Sequence, residues 1–172
     1  MWYILQVATG SEARMKDILE RFMGKELLKE VFFPLYESSY KKGGVRQIRM
    51  RILFPGYLFL DTENIKELEE RLKDMTEFQH LLFTGKFCTP VGREEQDFLE
   101  RHTTSGHTMR MSKGYMVGRE VMITEGAFTS YRGELKYVDR HNRYGVMTVR
   151  LGERDVDMQF GLELTSKDRE SA

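Results

Sequence analysis

Residues 51–60 read Arg51-Ile52-Leu53-Phe54-Pro55-Gly56-Tyr57-Leu58-Phe59-Leu60, and this stretch decides the fold. Pro55 and Gly56 predict a turn. Beyond it, strand alternation sends Leu58 and Leu60 to one side and Tyr57 and Phe59 to the other. A strand that is apolar on both sides needs two covers. The aliphatic side suits a core and the paired aromatics suit a docking surface; an internal strand covered by the chain's own helices is the other reading, since fully buried strands are also unbroken apolar runs.

Toward the amino terminus, Trp2 to Ala8 is rich in β-formers and predicts a first strand. Thr9, Gly10, Ser11 and Glu12 then resemble a capping box, and Met15, Ile18, Leu19, Phe22 and Met23 recur at the spacing of a helix facing a sheet. Gly24 ends that helix. Val31 to Tyr36 and Gln47 to Phe54 predict two further strands, joined by a hairpin with Gly43 and Gly44 at its tip. This hairpin is electropositive: Lys41, Lys42, Arg46, Arg49 and Arg51 face the single acid Glu37. It is either a solvated loop or a contact to a nucleic-acid backbone through counterion release.

Downstream, Asn64 and Glu67 mark a helix start, with Ile65, Leu68 and Leu72 as its apolar stripe. Phe78 to Phe83 predicts a short strand, and Arg93 to His102 a helix anchored by Phe98 and Leu99. Residues 1–102 thus read as an α/β sandwich on a mainly antiparallel sheet. Residues 103–117 lack sustained periodicity and predict a linker. From Gly118 to Ser166 period two returns, with Met147, Val149 and Leu151, then Val156, Met158 and Phe160, alternating with polar neighbours between glycine turns. This predicts a small five-stranded barrel, SH3-like in scale, and an α+β class for the whole chain.

Lysine plus arginine and aspartate plus glutamate both total 27 in 172 residues, which excludes a globally basic nucleic-acid coat and leaves only local patches. No apolar run approaches the roughly 20 residues of a membrane span, and no signal segment opens the chain. Cys88 is the single cysteine, so neither an internal disulfide nor a cysteine zinc cluster can form. A cytoplasmic monomer is expected. Four dispersed histidines, no phosphate-cradling glycine loop and no metal-ligand spacing argue against an enzyme. No catalytic residue, metal or cofactor is expected; a thiol nucleophile at Cys88 and histidine chemistry around His102 to Thr104 or at His107 lack an activating arrangement.

The barrel region carries its own signal. Arg132, Lys136, Arg140, Arg143 and Arg150 outnumber Glu134 and Asp139, with Tyr131, Tyr137, His141 and Tyr144 interleaved. Cations for phosphates and planar side chains for unstacked bases are what RNA loops require, so Arg132, Lys136, Tyr137, Arg140, His141, Arg143, Tyr144 and Arg150 are candidate RNA contacts. The plainer reading is a solvated strand face with barrel aromatics.

Two separated segments resemble one family. Trp2-Tyr3-Ile4-Leu5-Gln6 with Gly10 and Glu12, together with Phe54-Pro55-Gly56-Tyr57, resembles the amino-terminal (NGN) domain of NusG transcription factors; Val121, Ile123, Gly126 and Phe128, followed by Gly133, resemble the KOW motif of their carboxy-terminal barrel. The resemblance implies an NGN domain over 1–102, a linker over 103–117 and a KOW domain over 118–172. It implies an adaptor whose NGN domain binds the clamp helices of RNA polymerase through Ile4, Gln6, Phe54, Tyr57 and Phe59. Lys41, Lys42, Arg46 and Arg49 would then face upstream or non-template DNA. Ile123-Thr124-Glu125-Gly126-Ala127-Phe128, with alanine where housekeeping members commonly carry proline, looks more like the specialised branches RfaH and LoaP, and Lys66 to Leu72, standing where the RfaH group has a His-Thr-Thr element, favour LoaP. That branch resemblance implies antitermination at selected operons, recruited by a leader RNA hairpin. A housekeeping factor, its barrel bound to Rho or a small-subunit ribosomal protein, is the alternative, and a ribosome-associated RNA-binding protein is another. Some relatives refold this barrel as helices; the alternation from Met147 to Phe160 predicts a permanent β domain.

Overall fold

The computed structural model describes residues 1–78 and 88–165. Its contacts divide into two compact units that exchange chain segments: one holds residues 1–33, 54–96 and 151–154, the other residues 34–53, 97–150 and 155 onward. Among the described residues no helix is long and apolar enough to cross a membrane.

The first unit is built on an antiparallel sheet. Its strands, numbered in chain order, are β1 (Trp2–Gln6), β2 (Glu30–Phe32), β5 (Tyr57–Asp61) and β6 (Cys88–Pro90), in the order β2-β5-β1-β6. Helices α1 (Glu12–Phe22) and α2 (Ile65–Lys73) belong to the same unit. Leu5, Val31, Leu58 and Leu60 pack with Leu19, Met23, Leu68 and Leu72 into one aliphatic core. On the other side of the same strands the Phe59 ring stacks on Phe32 at 5.3 Å, meets Phe54 at 6.0 Å and stands edge-on to Trp2 at 6.1 Å. The two-sided strand is real.

Local chemistry explains the ends of these elements, including where expectation fails. Ser11 makes no side-chain cap; its hydroxyl donates to the Ala8 carbonyl instead. The buried Glu12 carboxylate accepts N–H bonds from Gly10 at 2.6 Å and from Gly56 at 2.9 Å, tying the Pro55–Gly56 turn to the start of α1. Gly56 sits at φ +86, which suits glycine alone. Phe22, expected on the inward stripe, is 63% exposed. It ends α1, and Met23 leaves in extended backbone and takes the buried place. In α2 the expected cap forms, with the Asn64 side chain accepting the Glu67 N–H at 3.2 Å. The strand expected over Val31 to Tyr36 stops after Phe32 and a new one starts at Leu35, because Pro34 has no N–H to donate to a ladder. The strand expected over Phe78 to Phe83 lies outside the described residues beyond Phe78, itself buried at the end of a short turn.

In the second unit, β3 (Leu35–Lys42) and β4 (Val45–Ile52) form the expected hairpin. Lys42 pairs with Val45 across a two-residue turn, where Gly43 and Gly44 take φ values of 60 and 78. A short parallel strand, β7 (Thr108–Met109), joins β3. The remaining strands are β8 (Ser112–Val117), β9 (Glu120–Glu125), β10 (Arg132–Gly133), β11 (Tyr137–Asp139), β12 (Tyr144–Leu151) and β13 (Arg154–Thr165), ordered β10-β9-β8-β13-β12-β11. Strands cover residues 144–151 and 154–165, as the alternation from Met147 to Phe160 predicts, with Met158 and Phe160 buried and Asp157 exposed.

The sheet has six strands where five were expected, and one of them, β8, arises within residues 103–117, the stretch that reads as linker; β7, from the same stretch, joins the hairpin instead. The physical reason is size. The inward positions of β8 are Ser112 and Gly114, so its alternation carries no hydrophobic signal; a Cβ on Gly114 would lie 2.0 Å from the Met122 carbonyl oxygen. Helix α3 (Arg93–His102) forms as expected and buries Leu99. His102 is a packing residue: its ring lies 4.5 Å from Phe128 and its Nδ1 is 2.8 Å from the Ala127 carbonyl.

Candidate nucleic-acid interface

The β3–β4 hairpin positions its cations through strand register and two anchoring contacts. Arg46 stands opposite Lys41 across the ladder. Its guanidinium donates to Ser39 Oγ at 3.3 Å and to the His141 carbonyl at 2.7 Å, while its Nε is buried without a hydrogen-bond partner among the described residues. The Arg49 guanidinium lies over the Tyr40 ring at 4.8 Å, a cation–π arrangement, and the Tyr40 hydroxyl donates to Gln47 at 2.8 Å. Burial raises the Tyr36 hydroxyl above its ordinary range, and the nearby Arg51 charge opposes that shift. Lys42, at the tip, is exposed.

Facing the hairpin is the turn between β11 and β12. Asp139 accepts the Asn142 backbone N–H at 2.8 Å and its side-chain amide at 2.9 Å, and these bonds hold the Asp139 carboxyl below the usual carboxylate range. Arg143 closes the turn at φ 57, and its carbonyl accepts the Leu162 N–H at 2.9 Å. Hairpin and turn enclose a cleft of about 420 Å³, with Lys41, Arg46, Arg49 and Arg51 on one side and His141, Asn142 and Tyr144 on the other. Gln159 of β13 also reaches it. Among the described residues, none of the four hairpin cations forms an ion pair.

The candidate RNA contacts divide differently. Arg132 pairs with Glu120 at 3.1 Å, Lys136 with Asp157 at 2.7 Å, Arg143 with Glu163 at 3.1 Å and Arg150 with Asp155 at 3.5 Å. Lys136 holds the Asp157 carboxyl below its usual range. Arg140 is exposed and makes no ion pair among the described residues. Tyr137 and Tyr144 have ring centroids 6.0 Å apart; Tyr137 is exposed, and His141 and Tyr144 belong to the cleft. The pairing acids lie outside the stretch whose charge excess marked these residues.

The five candidate polymerase contacts are brought together. Ile4 stands opposite Phe59 and Gln6 opposite Tyr57 in the β1–β5 ladder, and Phe54 touches the Phe59 ring. Ile4, Phe54 and Phe59 are buried, Gln6 is exposed and Tyr57 is partly exposed. The two aromatics that alternation pairs as one open face thus part company. Phe59 is a core residue and Tyr57 a rim residue. Sequence reasoning missed Ser38, Ser39, Tyr40, Arg51, Asn142 and Gln159 as cleft residues; only Arg51 carried a signal, as part of the hairpin's charge excess. Cys88 is buried and its thiol is pushed up to about 12, so it stays protonated near neutrality. Among the described residues no cluster of His, Cys, Asp and Glu could hold a metal ion.

A family model described as transcription termination factor nusG matches residues 1–100. The chain belongs to the NusG family. Among curated relatives, the transcription termination/antitermination protein NusG of Haemophilus influenzae is 27% identical over 93% of this chain and 91% of its own length. The protein of that name from Pasteurella multocida is 28% identical over 80% of this chain and 79% of its own length. A solved structure of Thermotoga maritima NusG, described as showing domain interaction, covers 93% of this chain and 92% of its own, at 18% identity and a TM-score of 0.49.

Proposed function

We propose that this NusG-family chain is a transcription elongation and antitermination factor that binds RNA polymerase through Gln6 and Tyr57, backed by Ile4, Phe54 and Phe59. The observation that carries this reading is the β1–β5 register, which sets the polar rim pair Gln6–Tyr57 beside the buried pair Ile4–Phe59. A tyrosine held on a rigid aromatic base offers a large contact area at small entropic cost, which interfaces favour. Lys41, Lys42, Arg46 and Arg49 meet exposed DNA or nascent RNA, and the carboxy-terminal strands, with Arg140 and its neighbours, contact a leader RNA that recruits the factor to selected operons.

The test is transcription past an intrinsic terminator by the cognate polymerase, on templates with and without a hairpin leader. Readthrough that needs the leader, and that Tyr57→Ala abolishes, is the expected result. Readthrough or altered pausing indifferent to the leader would overturn the specialised reading and leave a general factor, the reading that the relatives' shared name favours. No effect on the polymerase at all would overturn both.

A further inference from the structure

The charge of the hairpin points to a nucleic-acid backbone and the mixed cations and rings of the β11–β12 turn to RNA, which reads as two separate contacts. Their geometry argues for one. Arg46 bridges them, bonding Ser39 of its own hairpin and the His141 carbonyl of the turn, and the space between them is a single cleft of about 420 Å³. We propose that this cleft is one binding site for single-stranded nucleic acid, built jointly by the hairpin cations and the turn. It rests on the nucleic-acid part of the function proposed above, and it moves the main contact away from Arg132, Lys136, Arg143 and Arg150.

Three observations converge. The first is charge. Among the described residues, Lys41, Arg46, Arg49 and Arg51 line the cleft without a carboxylate partner, whereas the other four cations each have one. Uncompensated cations crowded around one cavity repel each other, and a polyanion relieves that repulsion while releasing its counterions. The second is the kind of side chain present. Tyr40 and Tyr144 offer rings for unstacked bases, and Asn142 and Gln159 offer amides for base edges or ribose. The third is size. A cavity of about 420 Å³ holds a splayed nucleotide and its phosphates, but a stacked, paired duplex is far too wide to enter it.

The turn is also stiff. The Asp139–Asn142 bonds and the Leu162–Arg143 backbone bond fix it before any ligand arrives, so ordering it adds little to the cost of binding.

The measurement is fluorescence anisotropy of a labelled oligouridylate with the full chain, over a series of salt concentrations and without polymerase. The same-sequence DNA strand, an RNA duplex and uridine triphosphate serve as competitors. Expected for Lys41→Gln with Arg49→Gln is an affinity loss of about tenfold and a salt slope shallower by about 1.4, close to 0.7 for each lost phosphate contact. Tyr144→Leu should weaken binding without changing that slope, and combined with Arg49→Gln should depart from additivity, as residues sharing one site do. Arg132→Gln with Lys136→Gln should change affinity less than about twofold. Thermal unfolding of each variant separates lost binding from lost fold.

Larger losses from the paired cations than from the hairpin cations would overturn the proposal. So would tighter binding of the duplex, or competition by uridine triphosphate as strong as by the oligonucleotide. Because polymerase is absent, intact cleft binding combined with failed antitermination would sink only the transcriptional reading; leader-dependent readthrough unaffected by cleft variants would sink only this one.

Discussion

Two sets of cations in the second unit differ in their company. On the β3–β4 hairpin, Lys41, Arg46, Arg49 and Arg51 point into one cleft with no carboxylate among them, while on the carboxy-terminal strands Arg132, Lys136, Arg143 and Arg150 each meet an acid from another strand or turn. Counted along the chain, both sets look alike. Pairing separates them: a guanidinium that already shares a carboxylate must give up that contact to take a phosphate, whereas one without a carboxylate has no ionic contact to give up. An exposed ion pair contributes little to stability, so the second set costs the fold little and offers a polyanion little.

The sharpest way to break this comparison is charge reversal. Lys41→Glu with Arg49→Glu should lower single-strand affinity by roughly two orders of magnitude at low salt, against a few-fold for Arg132→Glu with Lys136→Glu, both read by anisotropy. Stability should divide as well. Arg46→Ala removes two charge-assisted bonds, to Ser39 and to the His141 carbonyl, and should destabilise the protein by about 2 kcal/mol in urea unfolding. Arg132→Ala, which loses only the exposed pair with Glu120, should stay within about 1 kcal/mol.

The smallest effect is a pH response. The Asp157 carboxyl is depressed by Lys136, so whatever it adds to stability is present above the ordinary carboxylate range and is lost as pH falls through its lowered folded value. In Lys136→Met its titration midpoint, followed by carboxyl-carbon NMR, should move back up. An unmoved midpoint would deny that the carboxy-terminal cations are engaged by their acids.

Much of the fold was legible because periodicity and turn chemistry are local. The Gly43–Gly44 hairpin, the Asn64–Glu67 cap, helix α3 over Arg93 to His102 and the alternation into Phe160 all depend on residues a few positions apart. Strand β8 was illegible because Ser112 and Gly114 fill its inward positions, so close backbone approach, not hydrophobicity, specifies it. Phe22 was misread because a stripe of apolar residues does not say at which one the helix stops. Of the candidate site, the hairpin cations and the aromatics at 141 and 144 were visible as composition. Gln159, Ser38 and Asn142 were not, since nothing about a lone small polar residue says which cleft it will reach.

The two-sided strand Tyr57–Asp61, the glycine hairpin with its positive charge, and membership of the family all reside in the identity and order of near neighbours, so the chain's residues specify them directly. Tertiary structure alone decided which charges are spent on each other. Glu120, Asp155, Asp157 and Glu163 reach their cations through strand pairing and turns, and His141 meets Arg46 from a segment far along the chain. Electrostatic partnership depends on distance in space and fades within about 10 Å at ordinary salt, so position along the chain cannot report it.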